Sequence, residues 1–272
     1  MASPEQFTVR SGRVKHARRL ATRAFRSKTR EFIAEGPQAV REALTTEGAA
    51  LEVFATQDAT DQHRAMYERA RATEVAWHVV EADVVAEICD TVQPQGLVAR
   101  CAFVDIEIEA LLAKPLSFVL VCADIRDPGN AGAVIRCADA AGAEAVILAG
   151  DSVDAFNPKA VRASVGSVFH VPIVMDHRPV AELLVDLSAA GLAVLAADGA
   201  GDTELFAADL DLSAPTAWLM GNEAWGIPAA TRALADKVVA VPIYGQAESL
   251  NLATAAAVCL YATARARHTP HA

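Results

Sequence analysis

From residue 118 onward, short apolar runs alternate with longer segments whose apolar residues recur every three to four positions. The runs at 118–123, 145–149, 171–174, 193–197, 217–220 and 238–243 read as buried strands. The segments 131–141, 159–168, 180–190, 229–235 and 250–266 read as helices. Strand and helix alternating at this spacing predict an α/β fold, a parallel sheet with helices on both faces. In the last helix Leu252, Ala256, Leu260 and Ala264 fall on one face, which must be covered by the same domain or by a second copy of the chain.

Upstream the pattern is similar but shorter. Residues 13–25 look helical, Phe32-Ile33-Ala34 reads as a short strand, and Gly36-Pro37 opens a helix with proline in its first turn. Strand-like runs at 51–55, 75–80 and 96–103 alternate with helical segments at 62–72 and 82–88, which makes a small α/β domain over 30–110. The acidic stretch from Asp105 to Glu109, followed by Lys114-Pro115, breaks the alternation and predicts a linker. The boundary is expected at 110–116, with a second domain over 116–267.

The chain's 272 residues suit two domains at roughly 100–200 residues each. Its apolar content is mainly Ala, Val and Leu, as helices on a parallel sheet require. No apolar run reaches the roughly 18 residues of a membrane span. The Arg-rich N-terminus has no apolar stretch behind it and so does not read as a secretory signal, which leads us to expect a cytoplasmic protein without membrane contact. Five scattered cysteines without a C-x-x-C spacing read as small buried apolar residues, and no metal site is expected.

Charge changes the picture. The net charge is −10, yet residues 1–30 carry nine Lys and Arg (Arg10, Arg13, Lys15, Arg18, Arg19, Arg23, Arg26, Lys28, Arg30) against Glu5 alone. A basic head of +8 on a body of −18 is what a local phosphate-binding surface would look like, and residues 1–29 are set apart as a basic arm. A solvated arm with no partner is the plainer alternative, and His16 within it either assists a phosphate contact or is solvated.

Three polar clusters follow predicted strands, where open α/β sheets place their ligands: Asn130 with Arg136, Gly221-Asn222-Glu223 with Gly226, and Ser249-Leu250-Asn251. A dinucleotide fold is disfavoured, because the first strand is followed by Asp127-Pro128-Gly129-Asn130-Ala131-Gly132 rather than G-x-G-x-x-G. No Walker A loop occurs. His63, His170 and His177 have no carboxylate or serine at interpretable spacing, and Ser164-Val165-Gly166 lacks the G-x-S-x-G elbow, so a hydrolase triad has little support.

The stretch from Asp127 to Gly142, then Gly221-Asn222-Glu223-Ala224-Trp225-Gly226, then Val241-Pro242-Ile243 leading into Ser249-Leu250-Asn251, form three motifs in order. In these the chain resembles, over nearly its whole length, the SpoU/TrmH branch of the SPOUT superfamily of S-adenosylmethionine-dependent RNA 2′-O-ribose methyltransferases. The segment Asn157 to Ser167 resembles the family helix after the second strand, and Arg30 to Gly36 resembles an L30-type RNA-recognition domain. The resemblance implies a C-terminal trefoil knot, S-adenosylmethionine bent within the knotted loops, and a homodimer. It implies structured RNA as substrate, rRNA in preference to tRNA and 23S rRNA foremost; antibiotic-resistance members share the layout. The alternatives are a tRNA 2′-O-methyltransferase and a non-catalytic RNA-binding or ribosome-assembly protein of the same fold.

Carried over residue by residue, the resemblance places Arg136, Asn130, Glu223, Ser249 and Asn251 in the catalytic machinery and Leu195, Met220, Gly221, Asn222, Ile243 and Leu250 in the cofactor pocket. Arg136 orients the target ribose phosphate; a guanidinium is always protonated, so it stabilises a developing alkoxide rather than acting as a simple base. Its plain role is an ion pair with Asp139. Asn130 and Arg136 are expected to point from one helix start toward one group, Asn130 also serving as N-cap. Glu223 either fixes Arg136 or tethers the second-motif loop. Ser249 and Asn251 organise substrate and loop, with Ser249 also capping the last helix. Trp218 reads as core; Trp225 either stacks on the target base or packs against its own loop.

Overall fold

In the computed structural model, which describes residues 7–268, the chain divides into two compact units: residues up to 104 together with 156–169, and residues 105–155 together with 170 onward. The first contains a four-stranded sheet of β1 (Glu31–Glu35), β2 (Ala50–Ala55), β3 (Ala76–Val79) and β4 (Leu97–Ala102) in the order β1-β4-β2-β3. β4 is antiparallel to both its neighbours and β2 is parallel to β3. Gly36, at φ +85°, and Pro37 do open a helix, Gly36–Thr45. The expected helix at 62–72 is two, Gln57–Gln62 and Arg64–Ala72, because the chain turns at His63.

The segment 1–29, set apart above as an arm, is part of this unit from residue 7; its first six residues lie outside the described ones. Helices Gly12–Arg19 and Arg23–Thr29 replace the single helix expected at 13–25. Val14, Ala17 and Leu20, spaced three apart, are fully buried in a core with Ile33, Phe54 and Val98. Arg26 is buried as well, its Nη1 donating to the carbonyls of Leu20 (2.8 Å) and Ala21 (2.9 Å). It clamps the turn between the two helices and is not a surface cation.

Residues 156–169, expected in the catalytic domain, also belong here. Phe156 stacks on Phe103 at 4.1 Å between ring centroids and packs on Phe32 at 4.7 Å, while Phe169 stacks on Phe32 at 5.7 Å. The face of β1 needs this aromatic cover, and the helix Pro158–Ser164 packs against that strand.

The second unit is a seven-stranded sheet with every pairing parallel: β5 (Phe118–Ala123), β6 (Ala145–Ala149), β7 (Ile173–Asp176), β8 (Ala193–Ala197), β9 (Thr203–Glu204), β10 (Thr216–Met220) and β11 (Lys237–Ala240), in the order β7-β6-β5-β10-β8-β11-β9. All residues of β5, β6 and β10 are buried, which is why they read as unbroken apolar runs. The chain runs outward from β5 through β6 to β7 and returns on the other side of β5, so the carboxyl ends of β5 and β10 form a topological switch point.

The expected linker at 105–115 belongs to this unit. Ile106 N–H donates to the Ile173 carbonyl (2.9 Å), and the helix Ile108–Leu112 buries Ile108 and Leu111 against the sheet. The acidic residues between them masked an apolar face. β7 starts two residues later than expected because Pro172 has no N–H to give, and β11 stops at Ala240 just before Val241-Pro242. The last helix, Leu252–His268, packs on the helix Pro128–Ala141 and buries Ala256, Cys259, Leu260 and Thr263, with Trp218 Nε1 donating to Thr263 Oγ1 at 2.9 Å. Among the described residues no helix is long and apolar enough to cross a membrane.

Candidate active site

The site grows from the carboxyl end of β5. Asp124 adopts a left-handed conformation at φ +56°, a strained backbone for a residue with a side chain. Its carbonyl accepts a bond from Asn222 Nδ2 (2.6 Å) and its Oδ1 accepts one from Asp151 N–H (2.8 Å). The helix Pro128–Ala141 then begins with Asp127 as N-cap, its Oδ1 accepting from Asn130 N–H at 2.8 Å, and Pro128 in the first turn. The cap is therefore Asp127 and not Asn130, which frees the Asn130 side chain.

That side chain joins the three polar clusters. Asn130 Nδ2 donates to Glu223 Oε1 (3.1 Å), and Asn130 Oδ1 accepts from Asn251 Nδ2 (3.1 Å). A carboxylate can only accept, so Glu223 fixes which way the Asn130 amide faces, and that in turn presents an acceptor to Asn251. Asn251 Oδ1 accepts from Ala253 N–H (2.9 Å) and so caps the last helix, the role expected of Ser249. Ser249 is exposed and lies beside the cleft described below.

Glu223 also accepts from the backbone N–H groups of Arg126 (3.1 Å) and Asp127 (3.2 Å). Burial pushes its carboxyl upward, but the Asn130 amide and these backbone donors outweigh that and hold it below the ordinary glutamate value. It thus tethers the second-motif loop to the start of the helix Pro128–Ala141 and does not touch Arg136. The loop is closed by Asn222 and Gly226, whose backbones exchange N–H···O bonds of 3.0 and 2.9 Å, while Asn222 Oδ1 accepts from Ala224 N–H (2.8 Å). Only glycine fits at Gly221, where a Cβ would stand 2.6 Å from the Gly226 carbonyl oxygen.

A cleft of about 930 Å3 opens at the carboxyl ends of β8, β10 and β11. Met220, Gly221, Asn222, Ile243 and Leu250 line it. Leu195 does not: it is the middle residue of β8, 3 % exposed, and the cleft begins two residues later at Ala197. Sequence reading missed Asp198, which follows β8, pairs with Arg232 (2.9 Å) and accepts from Ala200 N–H (2.9 Å). Its only sequence signal was a carboxylate directly after a strand. Gly201 is a second close approach, a Cβ there standing 2.6 Å from the Val238 carbonyl oxygen.

Arg136 is exposed, does not line this cleft, and makes no hydrogen bond or ion pair among the described residues. Six residues beyond Asn130 at about 100° per residue, it stands about 120° around the helix from it. Asp139 binds His170 Nδ1 (2.9 Å) instead of Arg136, which gives His170 the carboxylate partner its sequence context did not reveal.

The cleft has the volume of a small-molecule site, walls of small and apolar residues that let main-chain groups approach, and the carboxylates of Asp198, Glu204 and Glu248 around it. Those features fit a cationic nucleoside such as S-adenosylmethionine, with Met220, Gly221, Ile243 and Leu250 as the residues that would hold it. A parallel sheet with three loops pinned on one asparagine beside a glycine-walled cleft defines an α/β enzyme domain of the nucleoside-cofactor type. The chain belongs to the SpoU rRNA Methylase family, whose model matches residues 117–261; an MRM3-like substrate binding domain matches 12–99. It is 35% identical over 257 residues to the 23S rRNA (guanosine(2553)-2′-O)-methyltransferase RlmP of Bacillus subtilis (strain 168), covering 93% of this chain and 96% of the relative. Among solved structures it superposes on the AdoMet-bound rRNA methyltransferase of Sinorhizobium meliloti with a TM-score of 0.84 at 30% identity and 98% coverage of each chain. The SpoU methyltransferase AviRb of Streptomyces viridochromogenes in complex with AdoMet gives 0.82 at 29% identity, over 94% of this chain and 99% of that one.

Proposed function

We propose that this protein is an S-adenosylmethionine-dependent rRNA 2′-O-ribose methyltransferase acting on 23S rRNA. The observation that carries the reading is the junction at Asn130, which binds Glu223 and Asn251 and so brings all three family motifs to one edge of the cleft. When bound, S-adenosylmethionine supplies an electrophilic methyl group on a sulfonium. The chain's own residues have two tasks: to place a ribose 2′ oxygen in line with that methyl, and to stabilise the oxygen as its proton leaves.

Positioning falls to the pinned loops. Glu223, Asn130 and Asn251 hold the second and third motifs rigid against the helix Pro128–Ala141, and Ser249 offers the substrate a hydroxyl beside the cleft. Arg136 supplies the fixed positive charge for the developing alkoxide. Since it lies outside the cleft of its own chain, its role calls for a homodimer in which a second copy brings Arg136 to the site. The course of residues 221–251, out to β11 beyond β8 and back to the last helix on Pro128–Ala141, supports a trefoil knot around the cofactor loops.

The first unit is assigned to RNA. Arg10, Lys15, Arg23 and Lys28 are exposed, and their side chains make no hydrogen bond or ion pair among the described residues, whereas Arg13 binds Glu52 and Arg18 binds Glu87. The test is transfer of labelled methyl from S-adenosylmethionine to 23S rRNA and to a tRNA pool. Incorporation into 23S rRNA alone is expected; incorporation into tRNA would name the other substrate class, and cofactor binding without transfer to either would make the chain a binding protein.

A further inference from the structure

Three tryptophans occur in the chain, and two are built as structural residues are. Trp218 is fully buried with its Nε1 bonded to Thr263 Oγ1 at 2.9 Å, and Trp77 Nε1 donates to Thr60 Oγ1 at 3.1 Å. Trp225 is different. It is 58 % exposed, and among the described residues it makes no aromatic contact and no hydrogen bond. Burying this side chain is worth more than burying almost any other, so leaving it in water on an ordered turn is a cost that packing does not offset.

The turn that carries it is held on both sides. Asn222 and Gly226 close it with paired backbone bonds of 3.0 and 2.9 Å, Asn222 Oδ1 holds Ala224 N–H at 2.8 Å, and Glu223 accepts from Arg126, Asp127 and Asn130. The indole is therefore presented from a fixed backbone, with little freedom left to give up on binding. It stands on the wall of the same cleft as Met220, Gly221, Ile243 and Leu250.

Resting on the reading of the chain as an RNA 2′-O-methyltransferase, we propose that Trp225 is an RNA-binding residue that stacks on the unpaired base of the target nucleotide. A ribose hydroxyl in structured RNA reaches a recessed cleft only when its nucleotide is drawn out of the helix, and the base so exposed needs a new stacking surface. An indole on the cleft wall supplies one, and because every base has a π-face it does so with little regard to base identity. Selection of the site then falls to surfaces other than this residue.

The test uses the full-length protein and an rRNA fragment containing the mapped methylation site, intact or with that one nucleotide made abasic, which keeps its ribose 2′-OH. Trp225→Ala should raise KM for intact RNA roughly tenfold, with kcat and S-adenosylmethionine Kd little changed, and Trp225→Phe should restore most of the loss. On the abasic fragment, wild type and Trp225→Ala should have equal KM. An equal penalty on intact and abasic RNA, or loss of S-adenosylmethionine binding in Trp225→Ala, would overturn the stacking role. Absence of methyl transfer by the wild type on any RNA would instead overturn the reading on which the inference rests.

Discussion

At the scale of single residues the site depends on side chains that can accept or donate only one way. Asn130 must give its amide N–H to Glu223 and its oxygen to Asn251. Asn130→Asp places a second carboxylate against Glu223, so it should impair S-adenosylmethionine affinity more than Asn130→Ala does; titration calorimetry on the two variants checks the order. Gly221→Ala pushes a methyl group into the Gly226 carbonyl and should cost ~1–3 kcal/mol of stability together with at least tenfold in cofactor affinity, read by thermal melts and by calorimetry. The Glu223 carboxyl is lowered in the folded state, so its contribution is complete above the unfolded value and is lost as pH falls through the lowered one. The second-motif loop should accordingly loosen on acidification in the wild type and at all pH values in Glu223→Gln, as hydrogen exchange of residues 222–226 would show. The polar residues of this site were readable as strand-end clusters, but their junction was not: Asn130 is 93 residues from Glu223 and 121 from Asn251, and spacing carries no information about such pairs. Leu195 lies inside β8 rather than at its end, which the sequence did not reveal because a strand and its terminus look alike in an apolar run.

Elements show where sequence periodicity suffices and where it fails. β5 and β6 were legible to the residue, since burial on both faces leaves only apolar side chains between polar turns. The helix Ile108–Leu112 was missed because acidic neighbours hid its two buried positions, and the N-terminal helices were set apart as an arm because charge counting cannot see which cations are used internally. In β2, Glu52 is 1% exposed and binds Arg13 (3.0 Å), His78 (3.1 Å) and Arg100 (2.6 Å), while Arg100 also binds Glu31 (2.8 Å). Burial pushes its carboxyl up, but His78, Arg100 and Arg13 together hold it at about 2 against an ordinary 4.5. That stabilisation is complete above 4.5 and is lost as pH falls toward 2, so the melting temperature of the first unit should drop across this window. Glu52→Gln, which leaves the partly buried Arg100 with Glu31 as its one remaining carboxylate, should cost about 3 kcal/mol at neutral pH. On the surface of the same unit, replacing Arg10, Lys15, Arg23 and Lys28 by Gln should flatten the dependence of log Kd for RNA on log salt by roughly 0.9 for each phosphate no longer neutralised. Arg26→Gln should change stability instead, because that cation holds a turn.

For the whole molecule, the sheet order sets the switch point beside which the cleft opens, and it leaves Arg136 outside that cleft. The homodimer proposed above would reconcile the two, and sedimentation of the free protein should then show a mass twice that of one 28.6 kDa chain. The parallel sheet was foreseeable from alternation, whereas the β10-β8-β11 order and the return of the last helix onto Pro128–Ala141 depend on long-range pairing that local pattern does not encode. The most direct test of the account is the position of the methyl group. 23S rRNA treated with the protein and S-adenosylmethionine should acquire resistance to alkaline cleavage at one phosphodiester, the signature of a blocked ribose 2′-OH, and Arg136→Ala should abolish it while still binding cofactor. A methyl found on a base, with every phosphodiester still alkali-labile, would contradict it.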